Sequence, residues 1–165
     1  MEHNEKQIIQ LPVLVSTRTD VGRLRREVEA LENFMSQAAV RTPGTTVKMP
    51  KTSRLMDEIL SINKINPLVE DDRRRLQSFL MEVHAKAPVL HMSFSADPSP
   101  MFMQKLTTWL RQEVHPLVLV QVGLQPNIGA GCVVRTTNKY FDFSLREFFK
   151  GQRPLLLQKL EGTKA

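Results

Sequence analysis

The chain has 165 residues, of which 41% are hydrophobic and 24% charged, a globular composition that excludes wholesale disorder. Its longest uninterrupted apolar run, residues 116–120, is strand-sized, and nothing approaches the roughly 20 residues a bilayer-spanning helix needs. A net charge of +6 and a pI near 9.8 point to an acidic partner, nucleic acid or protein, while a single cysteine, Cys132, excludes an internal disulfide and a cysteine-built metal centre.

Residues 1–6 mix acids and a base ahead of a short apolar patch, unlike a secretory leader, so a cytoplasmic location is expected. Residues 8–15 are apolar and β-branched, which fits a short strand or a buried strap, and Pro12 would confine a strand there to a sheet edge. Thr17 to Asp20 then offer helix caps. Val21, Leu24, Val28, Leu31, Met35 and Ala38 recur at spacings of three and four on an otherwise charged helix. That narrow stripe fits packing on the chain's own domain or on a partner helix. Residues 41–53, rich in threonine with two prolines and a glycine, read as a linker. The chain is therefore divided into an amino-terminal arm, residues 1–50, and an α+β domain, residues 51–165.

Leu55, Met56, Ile59 and Leu60 mark one face of a short helix ending near Asn63. Asn66 as cap, Pro67 at the first position and the acids 70–72 open the next, with Val69, Leu76, Phe79, Leu80 and Val83 as its apolar face, ending near Lys86. Residues 89–94 read as a strand. Ser99-Pro100 starts a helix whose buried face should be Phe102, Met103, Leu106, Trp109 and Leu110. Strands follow at 117–124, 131–136 and 140–143, the last two joined by a hairpin turn at 137–139. Ser144 and Glu147 fit a capping box for a last helix that Gly151 and Pro154 should interrupt. This order predicts an α+β fold: a small mixed sheet with a βαβ crossover and a hairpin, preceded by helices.

The charge pattern argues against nucleic acid, because Arg23, Arg25 and Arg26 are answered by Glu27, Glu29 and Glu32, and Arg73 to Arg75 by Glu70 to Asp72. Catalytic chemistry finds little footing. Gly129-Ala130-Gly131 runs into a strand without the Lys and Ser/Thr of a phosphate loop, so it reads as a bend. The four histidines lack a second ligand at metal spacing, and His91 and His115 read as structural. No nucleophile elbow exists. Tyr140 and Phe143 alternate on a strand beside Lys139, a pattern better explained by core packing than by base stacking.

Residues 126–146, from Pro126 through Gly129-Ala130-Gly131 and Asn138 to Asp142-Phe143-Ser144-Leu145-Arg146, resemble the carboxyl-terminal signature of ATP synthase delta subunits. Pro126, Gly129, Gly131, Asn138, Asp142, Ser144 and Arg146 carry the match. Ala130 replaces the first glycine of the family's pair, and Thr137 stands where its turn often has glycine. The likeness extends over about 110 residues, with only the final 20 or so specific. The family's amino-terminal six-helix domain, which docks on the crown of the catalytic head, has no counterpart here. What the resemblance implies is a non-catalytic peripheral-stalk subunit of a rotary proton-translocating ATP synthase, linking the b subunits to the catalytic head, without cofactor, metal or small-molecule substrate, and held at the inner membrane only through the complex. Val21, Leu24, Val28, Leu31 and Met35, with Leu155 and Leu156 of the aliphatic tail, are the candidate contacts for a partner helix.

The positive charge supports a second reading, a basic RNA- or ribosome-associated α+β binding module. A continuous basic face across Arg135, Lys139, Arg146, Lys150 and Arg153 would favour RNA; an exposed apolar groove beside the sheet would favour a helical partner.

Overall fold

The computed structural model of the protein describes residues 9–40, 50–136 and 138–161. The elements run α1 (Arg18–Val40), α2 (Arg54–Asn63), α3 (Glu70–Lys86), β1 (Val89–Phe94), α4 (Pro100–Glu113), β2 (Leu119–Leu124), a short 3-10 turn (Pro126–Ile128), β3 (Gly131–Arg135), β4 (Tyr140–Ser144) and α5 (Leu145–Glu161). The fold is α+β, with four strands in the order β2-β1-β3-β4. β1 and β2 are parallel and joined through α4, whereas β1–β3 and β3–β4 are antiparallel, the latter a hairpin.

Four of the five helices, α3 excepted, start where a side-chain oxygen serves their orphan amides. Thr17 Oγ1 accepts from the Asp20 amide at 3.1 Å, and Asp20 Oδ2 accepts from the Thr17 amide at 3.0 Å, a reciprocal cap on α1. Ser53 and Ser99 cap α2 and α4 in the same way, each at 3.3 Å. α3 begins at Glu70, three residues beyond the predicted proline. Asn66 Oδ1 is committed to the Leu68 amide at 3.0 Å, forming a turn instead of a helix cap.

Two apolar clusters divide the interior. Val21, Leu24 and Val28 of α1 pack with Met56 and Ile59 of α2, Leu76, Leu80 and Val83 of α3, and Leu119 of β2. The stripe of α1 thus closes the chain's own core. Val21, Leu24, Val28 and Leu31 are buried, and this corrects their assignment as partner contacts, because their apolar surface is already out of water. Met35 is half-buried, Leu155 is exposed, and the side chain of Leu156 lies outside the described residues. The second cluster joins Leu90, Met92 and Phe94 of β1 to Val118, Val120 and Leu110 beneath α4.

Residues 9–16 form a strap across the first cluster, with Leu11 and Val15 buried and no ladder of their own. The edge-strand alternative for this segment is not what forms. The predicted linker lies mostly outside the described residues, as does Thr137. α5 runs through Gly151 and Pro154 without interruption. Both residues are exposed, so the Lys150 carbonyl that loses its helical donor to Pro154 can be served by water.

Two of the sequence's charge and packing expectations change. Arg74 pairs with Glu70 and Arg75 with Asp72, but Arg73 turns inward and donates to the Pro67 carbonyl at 3.0 Å. On α4, Leu110 is buried and Met103 and Leu106 half-buried, yet Phe102 and Trp109 stay exposed, because buried Thr107 shifts the inward face by a fraction of a turn. Truncating Leu24 to Ala should cost about 2–5 kcal/mol in urea unfolding, whereas Phe148→Ala on exposed α5 should change stability by no more than about 0.5 kcal/mol. Comparable losses at the two positions would contradict this division of core and surface.

Candidate functional site

Six of the seven resemblance residues gather around one joint where β3, β4 and α5 meet, while Asn138 lies in the turn at the other end of the hairpin. Gly131 has φ +93°, and a Cβ there would collide with the Phe143 carbonyl oxygen and stand 3.0 Å from the Ser144 Cα. Only glycine lets these two strands approach at this end of the hairpin. Gly129, at φ +75°, follows the 3-10 turn that Pro126 opens; its requirement is conformational, since nothing lies within 4 Å of a Cβ built on it.

From there the joint passes to α5. The Ser144 amide donates to Asp142 Oδ1 at 2.9 Å, the Glu147 amide donates to Ser144 Oγ at 3.3 Å, and the Leu145 amide donates to the Ala130 carbonyl at 2.9 Å. Ser144 is buried, and its hydroxyl and amide hold the Asp142 carboxyl below its usual range, with Lys150 and Arg146 adding to the effect. Arg146 itself is exposed. Asn138 sits exposed in the hairpin turn, which the Lys139 amide closes by donating to Thr136 Oγ1 at 2.9 Å. The motif is a mechanical joint that fixes how the last helix leaves the sheet.

Alternation on the hairpin sends Cys132 and Val134 of β3, and Phe141 and Phe143 of β4, to the face that α4 covers elsewhere. α4 reaches over β1 but not over β4. The result is an apolar groove of about 430 Å³ between α4 and the hairpin, walled by Leu106, Trp109 and Val114 on one side and by Val134, Phe141 and Phe143 on the other. Among the described residues, the surface that its walls present is apolar. Phe141 and Phe143 lie nearly parallel, centroids 6.1 Å apart, with Phe143 63% and Trp109 56% exposed. Several large apolar side chains converging beside one sheet edge are uncommon on a chain that works alone.

Tyr140 and Phe143 were expected in the core, but β4 is an edge strand with no helix over it among the described residues, and both are exposed. Tyr140 lies under the Arg135 guanidinium, 5.9 Å from the ring centroid. Cys132 sits in the groove floor, half-buried. Burial pushes its thiol up, and Asp142 adds to that, which makes it a poor nucleophile at neutral pH. His115 accepts the Leu117 amide at 3.1 Å, a structural role, while His91 is exposed on the other face of the sheet. Of the basic residues on this end, Lys150 is paired with Glu147 at 3.0 Å.

Arg111 had no part in the sequence reading. Its guanidinium donates to the carbonyls of Leu11 (2.8 Å), Pro12 (2.7 Å) and Val15 (2.6 Å), tying the strap to α4 across about a hundred residues of chain. Burial lowers its pKa to about 10, which leaves it charged throughout the neutral range. Its place one residue past Leu110, four past buried Thr107, was the signal available in the sequence.

No model of a known protein family matches the chain, and no curated protein matches its sequence. Among the described residues, no helix is long and apolar enough to cross a membrane, and no three His, Cys, Asp or Glu side chains are placed to hold a metal.

Replacing Arg111 with Met takes this donor from the Leu11 and Val15 carbonyls, the Pro12 carbonyl keeping the Val15 amide at 3.1 Å, and should cost about 2–4 kcal/mol. It should also speed hydrogen exchange at the Val120 amide, which donates to the Ser16 carbonyl at 2.8 Å, more than at amides of the β3–β4 hairpin. Uniform acceleration, or a loss below about 0.5 kcal/mol, would show that the strap is held by its apolar residues alone.

Proposed function

We propose that this chain is a non-catalytic, delta-like peripheral-stalk subunit of a rotary proton-translocating ATP synthase, linking the b subunits to the catalytic head. The observation that carries the reading is the exposed apolar groove between α4 and the β3–β4 hairpin. A groove of this kind suits the apolar stripe of an amphipathic helix, whose spaced anchors would enter between Trp109 and Phe143. The net charge of +6 favours a helix with acidic flanks. The signature joint supports the same reading, since a static connector needs its partner surface and its terminal helix held at a fixed angle.

The contact residues follow from burial. Val21, Leu24, Val28 and Leu31 are spent on the core, so the partner surface moves to Trp109, Val114, Phe141 and Phe143, with Leu155 available on α5. Connection to the head falls to another surface of the chain or of its partners.

Purification of the tagged chain from host membranes in mild detergent should recover the catalytic and b subunits. The double variant Trp109→Glu/Phe143→Glu should reduce recovery at least about tenfold, with its thermal midpoint nearly unchanged because both side chains are exposed. Recovery of ribosomal proteins or RNA in place of these subunits would favour the basic binding module and overturn the stalk reading.

A further inference from the structure

We infer that the cleft at the opposite end of the sheet, between the start of α1, α3 and the outer edge of β2, binds small oligophosphate anions. The cleft encloses about 650 Å³, within the range of ligand sites. Arg18 and Arg26 of α1 and His84 of α3 line it, together with Thr19, Gln121 and Val122, and among the described residues no Asp or Glu does. It shares no lining residue with the apolar groove, so this inference stands or falls apart from the stalk reading.

Among the described residues, the cations of the cleft are uncompensated. The glutamates that sequence spacing offers to the arginines of α1 do not pair with them: among the described residues no ion pair reaches Arg18, Arg25 or Arg26, and Glu27 instead accepts the Ser53 amide at 3.1 Å. Asp20, the acid closest in sequence to Arg18, is bound to the Thr17 hydroxyl at 2.7 Å and amide at 3.0 Å. Partial burial holds His84 below its ordinary value, and Arg18 and Arg25 add to the effect, which records positive charge around the imidazole.

The geometry suits phosphate more than carboxylate. Gly22 leaves the cleft floor bare, a Cβ there standing 3.9 Å from the Arg26 guanidinium, so an anion can approach the helix backbone beside that side chain. β2 is an edge strand whose Val120 amide already points outward to the Ser16 carbonyl, and by alternation the Val122 amide points outward too, at the cleft. Two guanidiniums with an imidazole and a backbone amide make a multidentate set for several tetrahedral oxyanions in a row. An RNA strand would need the positive surface to continue, but Arg135 on β3 is two strands from β2, and Lys139 and Arg146 lie beyond it, at the two ends of β4.

The probe is inorganic tripolyphosphate, titrated into the isotope-labelled full chain at physiological ionic strength and followed by amide and imidazole NMR. Saturable shifts at Arg18, Thr19, Gly22, Arg26 and His84 are expected. The double variant Arg18→Gln/Arg26→Gln, at exposed positions that should not disturb folding, is expected to weaken binding at least about tenfold, and Lys150→Gln/Arg153→Gln to leave it unchanged. Non-saturable shifts spread over all basic residues, or undiminished binding by the first variant, would overturn the assignment. A single-stranded RNA that binds more tightly than tripolyphosphate and shifts residues 135–153 as well would replace it with a nucleic-acid surface.

Discussion

The structure depends on one close approach of backbone to backbone, at Gly131 against Phe143 and Ser144. A side chain at that point would push β4 away from β3. With the glycine in place, the hairpin keeps register from Gly131–Ser144 to Arg135–Tyr140, Phe141 and Phe143 fall on the same face as Cys132 and Val134, and α5 begins where Ser144 can cap it. The groove is a consequence of this placement, because α4 covers β1 and β2 but stops short of the strand that the joint adds at the edge.

At the other end the molecule is held by buried apolar contact and by Arg111. The strap contributes Leu11 and Val15 to the first core, but its backbone turns at residues 13–14 and has no sheet neighbour for most of its carbonyls. A guanidinium reaching three of them substitutes for a ladder. Amino-terminal segment, α1 and the later helices thereby share one apolar cluster, and Leu119 carries that cluster into the sheet.

Much of this was legible in the sequence. The cap at Ser99, the apolar periodicity of α1 and α3 and the turn residues of the hairpin reported local physics that the folded chain keeps, whereas the cap at Ser53 lay inside the segment read as linker. The rest was decided by distance in space. Periodicity marks the stripe of Val21 to Leu31 as apolar but cannot say whether the surface it meets belongs to the same chain; Leu76, Leu80 and Val83 of α3 supply it. The same limit applies to Trp109, Phe141 and Phe143, whose residue types fit a core but whose positions lie beyond the reach of any covering helix among the described residues. Periodicity could place Arg111 beside the inward face of α4 but not name its three acceptors, which are about a hundred residues away, and the glutamates of α1 misled because spacing of three or four permits an ion pair without requiring one.

An exposed groove and a fixed terminal helix suit a protein whose work is to hold other chains in place, and they leave the groove's occupant as the point to test. The most direct measurement is photo-crosslinking in the host cell from a benzophenone amino acid at position 109, with the same label at exposed position 69, just before α3, as the control. The account predicts crosslinks from 109, and not from 69, to a helical segment of an ATP synthase b subunit. Crosslinks from 109 to a ribosomal protein or RNA, or an identical pattern from both positions, would contradict it.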